Sequence, residues 1–218
     1  TLIKKIALQN NIEVYQPQNI NTDEAIEKLL SWSPDLIIVV AYGQIIGERL
    51  LTIFKDKWFN VHASLLPKYR GAAPIQFALF NGDTITGLTI MKIDKGLDTG
   101  DILLKKELNI FDIDNFDSLS EKLSALAPEL LAETLKIYQA GEINKKLIKQ
   151  SDKDAIYTNK ITTDLRRLNL FDKKLTIHNR VRGLSLTPGA FINFSGKQLK
   201  ILETKIIDTS ANLFNDIF

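Results

Sequence analysis

Hydrophobic positions along the first 140 residues alternate between the two-residue period of strands and the helical period of 3.6. Ile6, Ala7 and Leu8 read as the end of a helix closed by Asn10-Asn11, and Ile12–Tyr15 as a short strand. Asn21 is placed to cap a helix over Thr22–Leu30, with Asp23 and Glu24 in its first turn and Ser33-Pro34 beyond its end. Asp35–Tyr42 is a continuous apolar run rich in β-branched residues, the pattern of a strand buried on both faces. A short helix over Gly47–Phe54 leads to an alternating strand, Trp58–Ala63. A helix over Pro74–Asn81 follows, with proline in its first turn. Leu88–Ile93 and Ile102–Leu108 read as strands flanking the Gly-rich Asp94–Asp101. The clearest helix comes next: Ser118-x-x-Glu121 is a capping box, and Leu119, Leu123, Leu126, Leu130 and Ile137 share a face up to Gly141.

This alternation predicts a layered α/β domain. The polar, lysine-rich stretch Glu142–Lys160 reads as a connection. Beyond it, Thr176–Arg182 is helical in pattern, Thr187-Pro188-Gly189 is a turn, and Ala190–Phe194 and Gln198–Ile207 are strands joined at Ser195-Gly196. The expected organisation is a first domain over residues 1–148, a linker over 149–163 and the start of a small β-rich domain over 164–218.

Of the 218 residues, 44% are hydrophobic and 25% charged, as in a soluble globular protein. The absence of cysteine excludes disulfide scaffolds, thiol catalysis and cysteine-based zinc sites. The apolar run Leu36 to Ala41 falls far short of the roughly 20 residues a membrane helix needs. No basic-then-apolar leader pattern opens the sequence, so a cytoplasmic location is expected. Charge changes the picture more. Residues 1–140 hold 14 Lys+Arg against 18 Asp+Glu, a net −4, and residues 141–218 hold 14 against 8, a net +6. A basic second half suits phosphate-bearing partners, with Arg166-Arg167, Lys173-Lys174, Arg180 and Arg182 as candidate contacts, although a solvated lysine-rich surface has the same charge pattern and is the commoner case.

Two histidines are present, His62 and His178. Asn60 and His62 lie two apart on one strand and so face the same side, just before the strand gives way to Ser64-Leu65-Leu66-Pro67. An amide donor beside an imidazole can stabilise an oxyanion and move a proton; a buried, mutually bonded pair would have the same pattern. In Gly96-Leu97-Asp98-Thr99-Gly100-Asp101 either Asp98 or Asp101 has the chemistry to serve His62 as a partner, although Asp and Gly also make plain turns. His178, in the basic half, reads as a surface or capping residue. No phosphate-binding glycine loop and no metal-ligand spacing is present.

The stretches Asn60-Val61-His62-Ala63-Ser64-Leu65-Leu66-Pro67 and Asp98-Thr99-Gly100-Asp101 together resemble the folate-dependent formyltransferase family. The continuation Tyr69-Arg70-Gly71-Ala72-Ala73-Pro74-Ile75-Gln76, Val39–Ile45 and Ile177–Arg182 with Pro188-Gly189-Ala190 resemble the branch acting on methionyl-initiator tRNA. Phe77 and Thr187 depart from that branch, which commonly has Arg and Trp there. The resemblance implies a Rossmann-like domain with a parallel-type sheet, followed by a partial, small β-barrel-like C-terminal domain that helps hold tRNA. It implies Asn60, His62 and Asp98 as a catalytic triad, Ser64, Leu65, Leu66 and Pro67 as a tetrahydrofolate-binding loop, and Tyr42, Gly43, Gln44, Ile45, Ile93, Gly96 and Leu97 around the pterin. The implied co-substrate is 10-formyltetrahydrofolate, with no metal, and the implied partner is methionyl-initiator tRNA. A monomer in a bacterial cytoplasm or an organelle-type translation compartment is expected. The resemblance further implies that the family's first strand, its Gly-containing turn and a tRNA-contacting loop precede Thr1, and that the second domain continues past Phe218. Alternative expectations are formyl transfer to another amine or to water, or a folate- or RNA-binding piece without activity.

Overall fold

The computed structural model describes residues 2–207. The chain divides into two compact units, residues 1–58 and 59–218.

The first unit holds α1 (Leu2–Gln9), α2 (Asp23–Trp32), β1 (Ile37–Val40) and α3 (Glu48–Ile53). Ala25, Ile26, Leu50, Phe54 and Trp58 form its buried part. Trp58 stands edge-on to Phe54 and donates its indole N–H to the Leu50 carbonyl. Three expectations change here. Ile12–Tyr15 forms no strand; Ile12 instead donates its N–H back to Ala7 in the exit of α1. Thr22, not Asn21, caps α2, accepting from the Ala25 N–H. Asn21 instead links the Ile45 carbonyl and the Gly47 N–H, 24 and 26 residues on. β1 is half-buried and Val40 is 56% exposed, so the apolar run is not sealed on both faces among the described residues.

The second unit is built on a sheet of β2 (Trp58–His62), β4 (Ile85–Lys92) and β5 (Ile102–Asn109), with β3 (Arg70–Gly71) and α4 (Pro74–Phe80) between β2 and β4. β2 runs antiparallel to β4, with Asn60 opposite Met91 and His62 opposite Thr89. β4 runs antiparallel to β5, with a register shift between Ile90 and Met91. That irregularity therefore falls on the residue facing Asn60, and such kinks re-aim side chains. α5 (Phe116–Gln139) packs on β4 and β5 through Leu119, Leu123, Leu130, Thr134 and Ile137. It begins earlier than the Ser118-x-x-Glu121 pattern predicts: Asn115 is the N-cap and Ser118 the third helical residue, each side chain bonding the other's backbone N–H.

After α6 (Ile143–Lys146) the polar stretch does not behave as a free linker. A 3-10 turn (Asp152–Asp154) leads into β6 (Tyr157–Thr158), which pairs parallel with β3. Short α7 (Thr163–Arg166) and then α8 (Lys174–Gly183) follow, and α8 packs against α4. β7 (Ala190–Phe194) and β8 (Lys197–Ile201) form the expected hairpin. Its turn residues Ser195 and Gly196 both have positive φ, as a two-residue hairpin loop requires. Leu168, Val181, Leu184 and Ala190 make a small core there. Residues 208–218, the last part of the expected 164–218 unit, lie outside the described residues. Among the described residues no helix is long and apolar enough to cross a membrane.

Candidate active site

β2 carries the site because its alternation separates two kinds of surface. Phe59 and Val61 go into the core; Asn60 and His62 share the other face. Asn60 is half-buried, and its amide makes no hydrogen bond among the described residues. His62 is 6% exposed. Its Nε2 lies 2.9 Å from the carbonyl oxygen of Tyr69. A carbonyl only accepts, so Nε2 carries a proton and Nδ1 is the ring nitrogen left for chemistry. Nδ1 lies 3.6 Å from Oδ2 of Asp98. That is too long for a hydrogen bond but within reach of an ion pair when the ring holds its second proton.

Asp98 is held from two sides. Its Oδ2 accepts the Gly71 N–H at 2.8 Å, and its backbone has a φ of 53°. A left-handed non-glycine residue persists only where its surroundings hold it. Asp101, the alternative carboxylate, instead gives its carbonyl to the Lys92 N–H at 2.8 Å. The structure thus brings Asn60, His62 and Asp98 into one unit.

The loop after β2 is tightly fixed. Ser64 is fully buried and donates to the Lys68 carbonyl; its own carbonyl accepts from Thr89 Oγ1 at 2.6 Å, and Thr89 Oγ1 also accepts the Leu66 N–H. Leu66 is buried with Met91 and Ile102, anchoring the loop to the sheet. The Leu66-Pro67 peptide is cis. Leu65, Leu66 and Pro67 wall a hollow of about 370 Å³ with Asp83, Thr86 and Lys105. Burial lowers the pKa of the Lys105 ammonium. Burial likewise pushes the Tyr69 hydroxyl up to about 12, so it stays protonated and donates to Asp83 at 2.7 Å. Of the other expected residues, Ile93 is half-buried, Gly96 is exposed, and Leu97 is 58% exposed. In the first unit, Tyr42, Gly43 and Ile45 are exposed in the loop after β1. Gln44 there is pinned to the Gln18 carbonyl and the Ile20 N–H. Partial desolvation nonetheless raises the pKa of the Tyr42 hydroxyl.

Two residues that sequence reasoning did not single out sit behind this geometry. Arg70 is fully buried. Its Nε donates to Gln150 at 3.0 Å, and its Nη1 to Asp152 and to the Tyr157 hydroxyl. Burial opposes its charge, but Tyr157 and Asp152 outweigh it and raise its pKa. Gln150 in turn donates to the carbonyls of Asp98 and Gly100. In the basic half, Arg166 is engaged with the Pro188 and Gly189 carbonyls, Arg167 with Asp164, Arg182 with Asn179 and two carbonyls, and His178 with Thr204. No group of three or more metal-ligating side chains occurs among the described residues.

Both parts of the chain match known protein families. The family profile described as formyl transferase matches residues 3–135, and the one described as formyl transferase, C-terminal domain, matches residues 160–214. The chain belongs to the formyl transferase family. Within it, the chain is 41% identical over 211 residues to the methionyl-tRNA formyltransferase of Caldanaerobacter subterraneus subsp. tengcongensis, covering 96% of this chain and 68% of that protein. It is 44% identical over 209 residues to that of Thermodesulfovibrio yellowstonii, covering 96% and 67%. The chain thus spans about two thirds of the length of these relatives. The fold is also that of more distant solved structures. The N-formyltransferase from Helicobacter canadensis, solved with folinic acid and dTDP-3-aminofucose, superposes with a TM-score of 0.70 at 20% identity, covering 89% of this chain and 68% of that one. HypX from Aquifex aeolicus, solved with tetrahydrofolic acid, gives 0.68 at 20% identity, covering 82% and 30%.

Proposed function

We propose that the chain transfers a formyl group from 10-formyltetrahydrofolate to the free amine of methionyl-initiator tRNA. The observation that carries this reading is the approach of His62 Nδ1 to the Asp98 carboxylate, on the strand face shared with the unpartnered amide of Asn60. The identity of about 40% to methionyl-tRNA formyltransferases over nearly the whole chain supports this acceptor over a sugar amine. The net +6 of residues 141–218 suits a phosphate-rich partner.

In the proposed step the amine nitrogen attacks the formyl carbon and a new C–N bond forms. The carbonyl electron pair moves onto oxygen. The Asn60 amide donates a hydrogen bond to that oxyanion, and His62 donates a second from Nδ1 when doubly protonated. Asp98 stabilises the charged ring and, through water, takes the proton the amine loses. As the bond from carbon to the folate nitrogen breaks, that nitrogen receives the proton and leaves as tetrahydrofolate. No metal is required by this balance. The loop Ser64–Pro67 is assigned to the folate, with Tyr42–Ile45, Ile93, Gly96 and Leu97 as pterin-side residues. Residues 1–148 form the catalytic domain in this reading, 149–163 the connection, and 164–218 the start of the tRNA-holding domain. The chain acts as a monomer in the translation compartment of a cell or organelle.

The test is formylation of methionine-charged initiator tRNA by the purified chain. Asn60→Ala is expected to lower turnover roughly 100-fold or more, as loss of an oxyanion donor does. His62→Ala and Asp98→Ala are expected to cost about 10²–10⁴-fold, with folate binding largely kept. Turnover in His62→Ala equal to that of the parent would sink the proposed roles.

A further inference from the structure

We infer that Gln150 and Arg70 are positioning residues for the Asp98–His62 pair, so that the stretch joining the two family domains is part of the catalytic apparatus. The inference rests on the formyl-transfer reading of the site. It starts from the backbone of Asp98, which is left-handed and must be restrained by something outside its own loop. Gln150, only 7% exposed, provides that restraint. Its Nε2 donates to the Asp98 carbonyl at 2.9 Å and to the Gly100 carbonyl at 2.7 Å, so one amide grips the loop on both sides of Thr99.

The orientation of that amide is not arbitrary. Its Oε1 accepts from Arg70 Nε at 3.0 Å. A guanidinium has only donors and a carbonyl only acceptors, so the flipped amide would face donor to donor and acceptor to acceptor. Arg70 therefore sets which end of Gln150 meets the Asp98 loop. Arg70 itself is locked by the pairing of β3 with β6: its N–H bonds the Ile156 carbonyl, its carbonyl accepts from Thr158 Oγ1, and its guanidinium carbon lies 5.5 Å from the centre of the Tyr157 ring. The neighbouring Gly71 N–H holds the Asp98 carboxylate from the other side. One buried network thus fixes both the backbone and the side chain of Asp98 relative to His62. Catalytic groups need such support to within about 0.5 Å.

Gln150→Glu is the discriminating variant. It keeps the acceptor that Arg70 needs and the shape of the side chain, but turns an oxygen, not an N–H, toward the two carbonyls. Expected is a loss of kcat of at least tenfold, with KM for the folate within twofold, assayed well below the melting temperature of the variant. Gln150→Met, which removes the donors and the acceptor at similar volume, and Arg70→Lys, which keeps charge but loses the fork, should show the same split. The second readout is the ring nitrogens of His62 followed by NMR in protein labelled with nitrogen-15 histidine. In Gln150→Glu the Nδ1 resonance should move toward its position in Asp98→Asn. Unchanged kcat, or kcat and KM failing together with the melting temperature, would overturn the inference, as would an unmoved Nδ1 resonance in a folded variant. If the parent chain transfers no formyl group, the formyl-transfer reading fails on its own, and the Nδ1 resonance still decides whether Gln150 sets the position of Asp98.

Discussion

Asp114 shows how much one buried carboxylate can hold in place. It is 2% exposed and sits just before α5. It accepts from Lys122 Nζ at 2.6 and 2.8 Å, from the Phe111 N–H and from Ser118 Oγ, while its carbonyl accepts from Arg182. Burial pushes the Asp114 carboxyl up, but Lys122, the Phe111 N–H and Ser118 outweigh it and leave it below the ordinary carboxylate value. A group lowered in the folded state contributes stability that is full above its unfolded value, about 4, and lost as pH falls through its folded value. Asp114→Asn is therefore expected to destabilise the chain by about 1–3 kcal/mol at pH 7. The gap from the parent should close as pH drops below about 4, measured by urea unfolding across that range. A gap that stays constant into acid would remove Asp114 from this account.

At the scale of elements, the pairing of β3 with β6 matters most for the site. Gly71 has a φ of 101°, and a Cβ there would lie 2.5 Å from the Thr158 carbonyl oxygen. Gly71→Ala should cost about 1–3 kcal/mol in strain. It should also lower turnover, because the Gly71 N–H and Gln150 are displaced with the strands; thermal unfolding and the formylation assay read the two effects. The same elements mark where the sequence could and could not be read. The period-two pattern of Trp58–His62 was enough to put Asn60 and His62 on one face, and the helical repeat was enough to find α5. The start of α5 was missed because Asn115 and Ser118 are both good caps, and only the geometry shows which one begins the helix. Spacing alone left Asp98 and Asp101 open as partners of His62. The 149–163 stretch reads as a connection because it is polar and lysine-rich, and three of its side chains serve a buried guanidinium rather than an apolar core. Its two-residue strand pairs with a partner 87 residues away, and no local periodicity records such a pairing. Gln150 carried no signal of its own; a lone arginine in Tyr69-Arg70-Gly71, beside a glycine of special backbone, was the available hint toward the network.

Across the whole molecule, the acidic first 140 residues and the basic remainder suit a small anionic cofactor less than they suit a long polyanion on the second half. Several of its arginines, Arg166, Arg167 and Arg182 among them, already bond within the chain, so they order this half as well as charging it. Affinity for initiator tRNA should therefore fall steeply, at least tenfold, between about 50 and 200 mM salt, as counterion release demands. Folate binding, measured in the same buffers, should change far less. Equal salt dependence of the two would argue against a tRNA-holding role for residues 164–218.

The alternation of N–H directions along β3 has one more consequence. Arg70 and Ala72 turn their amides to β6, whereas Gly71 turns its amide to the Asp98 carboxylate. That single amide proton is then held by the Asp98 carboxylate and not by a strand. Its deuterium uptake, followed residue by residue, would count how often Asp98 swings away from His62, giving a clock for the readiness of the site that runs without any substrate.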